Sequence, residues 1–361
     1  MLVFTNRLFK ADATDESLWT RKYTSFAPTL NIAEARLGAG ATPKWRTTLV
    51  KGDADDAAAL ETLTTFFRTK GKPVLIYIHG NNCAPLTCIA RAQQLEDQFE
   101  VAVIAYSWTS EGYQPDGSDL SSIDASTKVS SDTDEDSLAD VNKDNLQEGW
   151  IKRKARRYAQ AKVNAQHSAQ SLARFLRLVA AARLSTMTQP YSVLVHSLGC
   201  HFVHYVVDHE GAAESLGVAH NVALVAGCTG ADKHAAWIGR INPVRRVYIT
   251  YTKSDSVLAA ASVVDGDVKL GTNPGTELLI SPKYRYIDFE NAAKMKLGAH
   301  RYFVADPEKK LSKPAALLFK RICSSNLDFS ADEKQTVVYP VRCKGDGSVC
   351  YMGGNSMPSD I

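Results

Sequence analysis

The sequence predicts an α/β domain built on a mostly parallel central sheet with helices on both faces. Two observations lead there. Short, continuous apolar runs rich in β-branched and aromatic residues recur at residues 74–78, 101–106, 191–195, 221–226 and 246–251, and such runs suit parallel strands covered on both faces. Between them lie helical patterns, and a strand–helix–strand order with right-handed crossovers makes a parallel sheet.

Taken in order, residues 30–37 and 45–50 read as an antiparallel start to the same sheet. The stretch 56–69 carries a helical pattern, and the long stretch 157–184 places Leu172, Phe175, Leu176 and Val179 on one face. No internal repeat is present, so the 361 residues read as a single domain, 1–361, with one excursion and a tail. The excursion is 110–149: eleven acidic residues against Lys128 and Lys143 give it a net charge of −9, with few large apolar residues to order it. It is expected to be a flexible insertion near the mouth of a pocket. The basic run Lys152, Arg153, Lys154, Arg156 and Arg157 that follows reads as a solvated helix start neutralising the insertion locally. Residues 340–361 read as a C-terminal tail.

Composition narrows the function classes. Hydrophobic residues make up 45% and charged residues 22%, values of an ordinary globular protein with a sizeable core. A net charge of +3 is too mild to imply a nucleic-acid partner. No apolar run approaches the roughly 18 residues of a membrane span, and no signal-peptide pattern opens the chain, so the expectation is a cytoplasmic protein. Seven cysteines, an odd number, argue for mostly free thiols. Cys343 and Cys350 read as two unrelated thiols of a surface loop in preference to a bridged turn or a metal knuckle.

The strongest local signal is Val195-His196-Ser197-Leu198-Gly199, between the apolar run 191–195 and the helical stretch 200–208. A serine at a sharp strand-to-helix turn has its hydroxyl raised above the sheet and beside the free N–H groups of a helix start. The second signal is His79-Gly80-Asn81-Asn82, directly after the run 74–78. There an acyl-transfer enzyme needs backbone N–H groups aimed at a carbonyl oxygen, with Leu198, after the serine, supplying the partner N–H.

A serine nucleophile needs a base, and the base an orienting acid. Nine histidines are available. His79 and His196 lie in the turns just described; His201 and His204 read as helix-face histidines without a third metal ligand. His300, in a loop near the end of the alternating region, remains as the base. Asp255, just past the run 246–251, is the preferred acid, with Asp232 and then Asp288 as alternatives.

These segments resemble the α/β-hydrolase superfamily, and most closely an uncharacterised bacterial branch with an Ala-His-Ser-Met-Gly type elbow. The branch's His-Gly-Phe-Asn type turn is matched by His79-Gly80-Asn81-Asn82, its Trp after the next strand by Trp108, its acid segment by Tyr251-Thr252-Lys253-Ser254-Asp255, and its His-x-Tyr-Phe by His300-Arg301-Tyr302-Phe303. The similarity covers roughly residues 74–303 without the insertion. It implies Ser197 as nucleophile, Asp255 as acid, His300 as base, and the backbone groups of Asn81 and Leu198 as the oxyanion hole. His79, Asn82, Trp108 and His196 are expected on the substrate side. Two departures stand out: Gly227-Cys228-Thr229-Gly230-Ala231-Asp232 replaces an Asp-x-Asp, and the acidic insertion replaces a short connection after Trp108; Val195 also stands where the general G-x-S-x-G pattern has glycine.

The activity so implied is hydrolysis of a carboxylic ester or related acyl bond in a small-molecule substrate, with no metal or organic cofactor. A lipase or thioesterase with an acyl-chain pocket and a non-catalytic binding protein of the same fold are the alternatives. Oligomeric state is not encoded in any motif.

Overall fold

A computed structural model of the chain describes residues 1–10, 13, 15–38, 44–119, 148–290, 300–304, 313–325, 338–343 and 350–352. Eleven strands form one sheet. From one edge to the other they are β13 (Cys350–Met352), β12 (Val338–Cys343), β11 (Tyr284–Asp288), β10 (Arg246–Tyr251), β9 (Asn221–Val225), β8 (Tyr191–His196), β6 (Val74–Ile78), β7 (Ala102–Ser107), β1 (Leu2–Thr5), β4 (Asn31–Leu37) and β5 (Trp45–Lys51). The eight strands from β12 to β1 run parallel, with β13 at one edge and the β4–β5 ribbon at the other antiparallel. A separate ribbon pairs β2 (Arg7–Phe9) with β3 (Trp19–Tyr23).

Helices cover the sheet because its strands are apolar on both sides. Every residue of β6, β7, β8 and β9 is buried. The long α3 (Glu148–Thr186) packs against α1 (Asp56–Thr69), α4 (Leu198–Val206) and α5 (Ala212–Val218), while α2 (Pro85–Phe99) packs against α8 (Lys313–Ser324). Leu172, Phe175, Leu176 and Val179 of α3 are buried at helical spacing, as their pattern required. Asp55 caps α1, its carboxylate accepting from Ala58 N at 2.8 Å. Two short helices, α6 (His234–Ile238) and α7 (Ser256–Asp265), follow β9 and β10. Among the described residues no helix is long and apolar enough to cross a membrane.

Three features differ from the expectation. β1, which it did not include, is an inner strand between β7 and β4. The segment 110–119 is anchored rather than loose: Ser110 and Tyr113 are buried, Gly112 (φ 75°) lies where a Cβ would stand 2.7 Å from Arg157 Cα, and Asp119 pairs with Arg157. The acidic remainder, 120–147, lies outside the described residues. Finally, part of the expected C-terminal tail is strand: β12 and β13 pair antiparallel with Cys343 and Cys350 at facing positions, not scattered on a loop.

Strand order places the site. The chain leaves β6 for β7 on one side and returns to β8 on the other, so the connections after β6 and β8 diverge. In open parallel sheets, ligands bind at such a switch point, outside the carboxyl ends of the strands. The His79 turn follows β6 and Ser197 follows β8.

Candidate active site

Ser197 adopts φ 53°, ψ −121°, a strained conformation for a residue with a side chain. The surrounding backbone holds it there. Ser197 N donates to Val225 O at 2.9 Å, and its carbonyl accepts from Cys200 N (2.9 Å) and Cys228 N (3.0 Å). Glycine is required two residues on. A Cβ at Gly199 would lie 2.7 Å from His79 O and 3.1 Å from Ile78 O, because the first turn of α4 is pressed against the end of β6.

Ser197 Oγ lies 2.9 Å from His300 Nε2, and His300 Nδ1 lies 2.7 Å from Asp255 Oδ2. A carboxylate only accepts, so Nδ1 carries the proton and Nε2 is left bare to accept from the serine hydroxyl. Asp255 is also the N-cap of α7: its Oδ1 accepts from Leu258 N at 3.0 Å, which fixes the carboxylate while Oδ2 holds the imidazole. All three residues are buried. Of the alternative acids, Asp288 uses Oδ1 to accept from Glu290 N at 2.8 Å, and Asp232 is exposed on a different cavity.

The loop carrying His300 is fixed by its neighbours. Tyr302 Oη lies 2.7 Å from Thr250 Oγ1 and accepts from Ala226 N at 3.1 Å, so one hydroxyl ties the loop to the ends of β9 and β10. Burial pushes this phenol far above its ordinary range, keeping it protonated. His196 packs its ring on His300 and Phe303, with Nε2 3.2 Å from the His300 carbonyl oxygen.

The turn after β6 is organised by a histidine and a tryptophan. Trp108 N donates to His79 Nε2 at 3.1 Å, so the ring proton sits on Nδ1 and is donated to Gly80 O at 2.9 Å. Trp108 Nε1 donates to His79 O at 2.9 Å, and the two rings stack with centroids 5.7 Å apart. With the Gly80 carbonyl drawn to the His79 ring, the Asn81 N–H across the same trans peptide faces the opposite way. It takes no acceptor among the described residues, and neither does Leu198 N–H at the start of α4. Asn82 N, by contrast, is committed to Ser110 O at 2.9 Å.

His79, Trp108 and His196, expected on the substrate side, are fully buried and make the scaffold contacts described above. Asn82 is half-buried with its N–H spent. The sequence reading also missed Ser110, assigned to the loose insertion, whose Oγ accepts from Cys83 N at 3.0 Å and whose carbonyl holds Asn82. Its signal was position: a small polar residue just beyond a strand at the switch point.

No family model, curated protein or solved structure matches the chain.

Proposed function

We propose that the protein is a serine hydrolase of the α/β-hydrolase type that cleaves a carboxylic ester or related acyl bond. The observation that carries this reading is the continuous relay Asp255–His300–Ser197, with separations of 2.7 and 2.9 Å, on a strained strand-to-helix turn. In the reaction His300 Nε2 takes the hydroxyl proton as Ser197 Oγ attacks the acyl carbon. Asp255 holds the imidazole in the required tautomer and stabilises the imidazolium. The carbonyl oxygen, now anionic, is received by the N–H groups of Asn81 and Leu198. A donor of this kind is typically worth about 10²–10³ in rate. His300 then gives its proton to the leaving alcohol, and water, activated by the same imidazole, hydrolyses the acyl-enzyme and regenerates Ser197.

The test pairs two measurements on wild type and Ser197→Ala. A fluorophosphonate probe reports an activated serine, and a chain-length series of p-nitrophenyl esters reports turnover. The expected result is labelling and hydrolysis that both vanish in the variant. Absence of labelling and of turnover in the wild type would sink the reading in favour of a non-catalytic binding protein.

A further inference from the structure

A cavity of about 350 Å³ lies between α3, α4, the segment after β9 and the turn that ends α7; Ser197, Asp255 and His300 do not line it. Its size suits a small organic molecule.

One wall is a preassembled ion network. Asp265, at the end of α7, accepts from Tyr158 Oη (2.7 Å), Lys162 Nζ (2.9 Å) and Lys269 Nζ (2.5 Å). Lys269, with 2% of its side chain exposed, also pairs with Asp267. Two ammonium groups thus meet two carboxylates, and the wall is neutral. Burial opposes the charge of Asp265, but these donors outweigh it and hold the carboxyl below its usual range.

The other walls hold groups with no partner. Asp232 and Lys233, consecutive and exposed before α6, make no ion pair or side-chain hydrogen bond with any described residue. His201 Nε2 is shielded from solvent and has no hydrogen-bond partner among the described residues. Burial and the nearby Lys162 ammonium push this imidazole down to about 3, so it lines the cavity as a neutral ring. His204, stacked on Trp237 with centroids 5.2 Å apart, adds an aromatic side.

We propose that this cavity binds a small zwitterion, an amino acid or short peptide carrying an ammonium and a carboxylate. The unspent groups dictate the class: Lys233 receives the carboxylate and Asp232 the ammonium, beside the neutral ring of His201. A lone anion would face the carboxylates of Asp232, Asp265 and Asp267, and a lone cation the ammonium groups of Lys162, Lys233 and Lys269. An apolar ligand would leave Asp232 and Lys233 without partners. A zwitterion meets both signs and leaves the neutral wall intact. The proposal does not depend on Ser197 being a nucleophile.

The test is isothermal titration of the full chain with glycine, β-alanine and glycylglycine, beside N-acetylglycylglycine, which lacks the ammonium, and glycylglycine amide, which lacks the carboxylate. At least one zwitterion is expected to bind with Kd of about 1 mM or tighter, and the blocked analogues at least about tenfold more weakly. Asp232→Asn and Lys233→Gln alter exposed side chains and should each weaken binding about tenfold with melting curves unchanged, while Ser197→Ala binds like wild type. Blocked analogues that bind equally well, or no binding by any of the three zwitterions at about 10 mM, would overturn the proposal. Binding lost in Ser197→Ala would do so too, by placing the ligand at the triad.

Discussion

Replacing Gly199 by alanine tests whether the close approach of α4 to the end of β6 builds the site. The added Cβ would meet His79 O at 2.7 Å, Ile78 O at 3.1 Å and Val195 Cγ1 at 3.2 Å. Relief of the shortest contact requires the His79 turn to retreat by roughly 0.5 Å, about the tolerance within which a catalytic constellation must be held. The turn cannot yield alone, because His79 O also accepts from Trp108 Nε1 and its ring is engaged by Trp108 N. Overpacking of this kind costs about 1–3 kcal/mol, offset by less than about 1 kcal/mol of helix propensity gained. The net expectation is a destabilisation of about 1–2 kcal/mol, read as a melting temperature lower by roughly 1–3 °C for a chain of this length. Displacement of the Asn81 N–H should also lower kcat for a p-nitrophenyl ester by about 10–10², with KM little changed. A variant that melts at or above the wild-type temperature with full activity would refute the steric argument, since alanine would then fit without moving the turn.

Other substitutions separate the roles of neighbouring groups. Asp255→Asn should lower kcat by about 10⁴ through loss of the correct imidazole tautomer, whereas Asp232→Asn should leave ester hydrolysis near wild type; steady-state kinetics that ranked them the other way would remove Asp255 as the acid. Ser197→Ala and His300→Ala should each cost about 10⁴ or more, and the double variant little beyond either, as a unit requires. Tyr302→Phe leaves the buried Ala226 N–H without its acceptor, so denaturant titration should show a loss of about 1–3 kcal/mol, with slower turnover because the His300 loop loses its tie. His201 gives a pH signature. Its folded-state pKa, about 3, lies below the ordinary value near 6.5, so the unfolded chain binds more protons between them and stability falls as the pH drops through that window. His201→Gln should flatten the decline in melting temperature between about pH 6.5 and pH 4.

Much of the architecture was legible because the strands are nearly pure apolar runs. β6, β8 and β10 start where their runs start, and α1 covers the stretch its pattern marked. β1 was not legible: Leu2-Val3-Phe4-Thr5 is too short to signal alone and takes its place only from partners 30 and 100 residues away in sequence. The serine turn, Asp255 and His300 could be read because each follows a strand or closes the alternating region, and a serine nucleophile needs a base and an orienting acid. The roles of His79, Trp108 and His196 could not. Residue type marks them as fit to touch a substrate, and only the fold shows that His79 and Trp108 hold each other while His196 packs on His300 and Phe303. The segment 110–119 misled for a related reason, since its charge was averaged with the acidic stretch behind it. Arg7 donates to Trp108 O at 2.7 Å and pairs with Glu111, contacts made across the fold that no local window contains.

The position of β1 has a consequence for how the chain is made. It precedes both of its partners in the chain yet lies inside the sheet, with β4 on one flank and β7 on the other. Its antiparallel partner arrives within about forty residues, but the parallel one only from residue 102. A ribbon of β1, β4 and β5 formed in that interval would present an unpaired, apolar edge, the kind of template that recruits other chains. Docking of β6 and β7 can close that edge before Ser197 has been translated. The half of the sheet that carries the His79 turn can thus be complete while the half that carries the triad is still being synthesised.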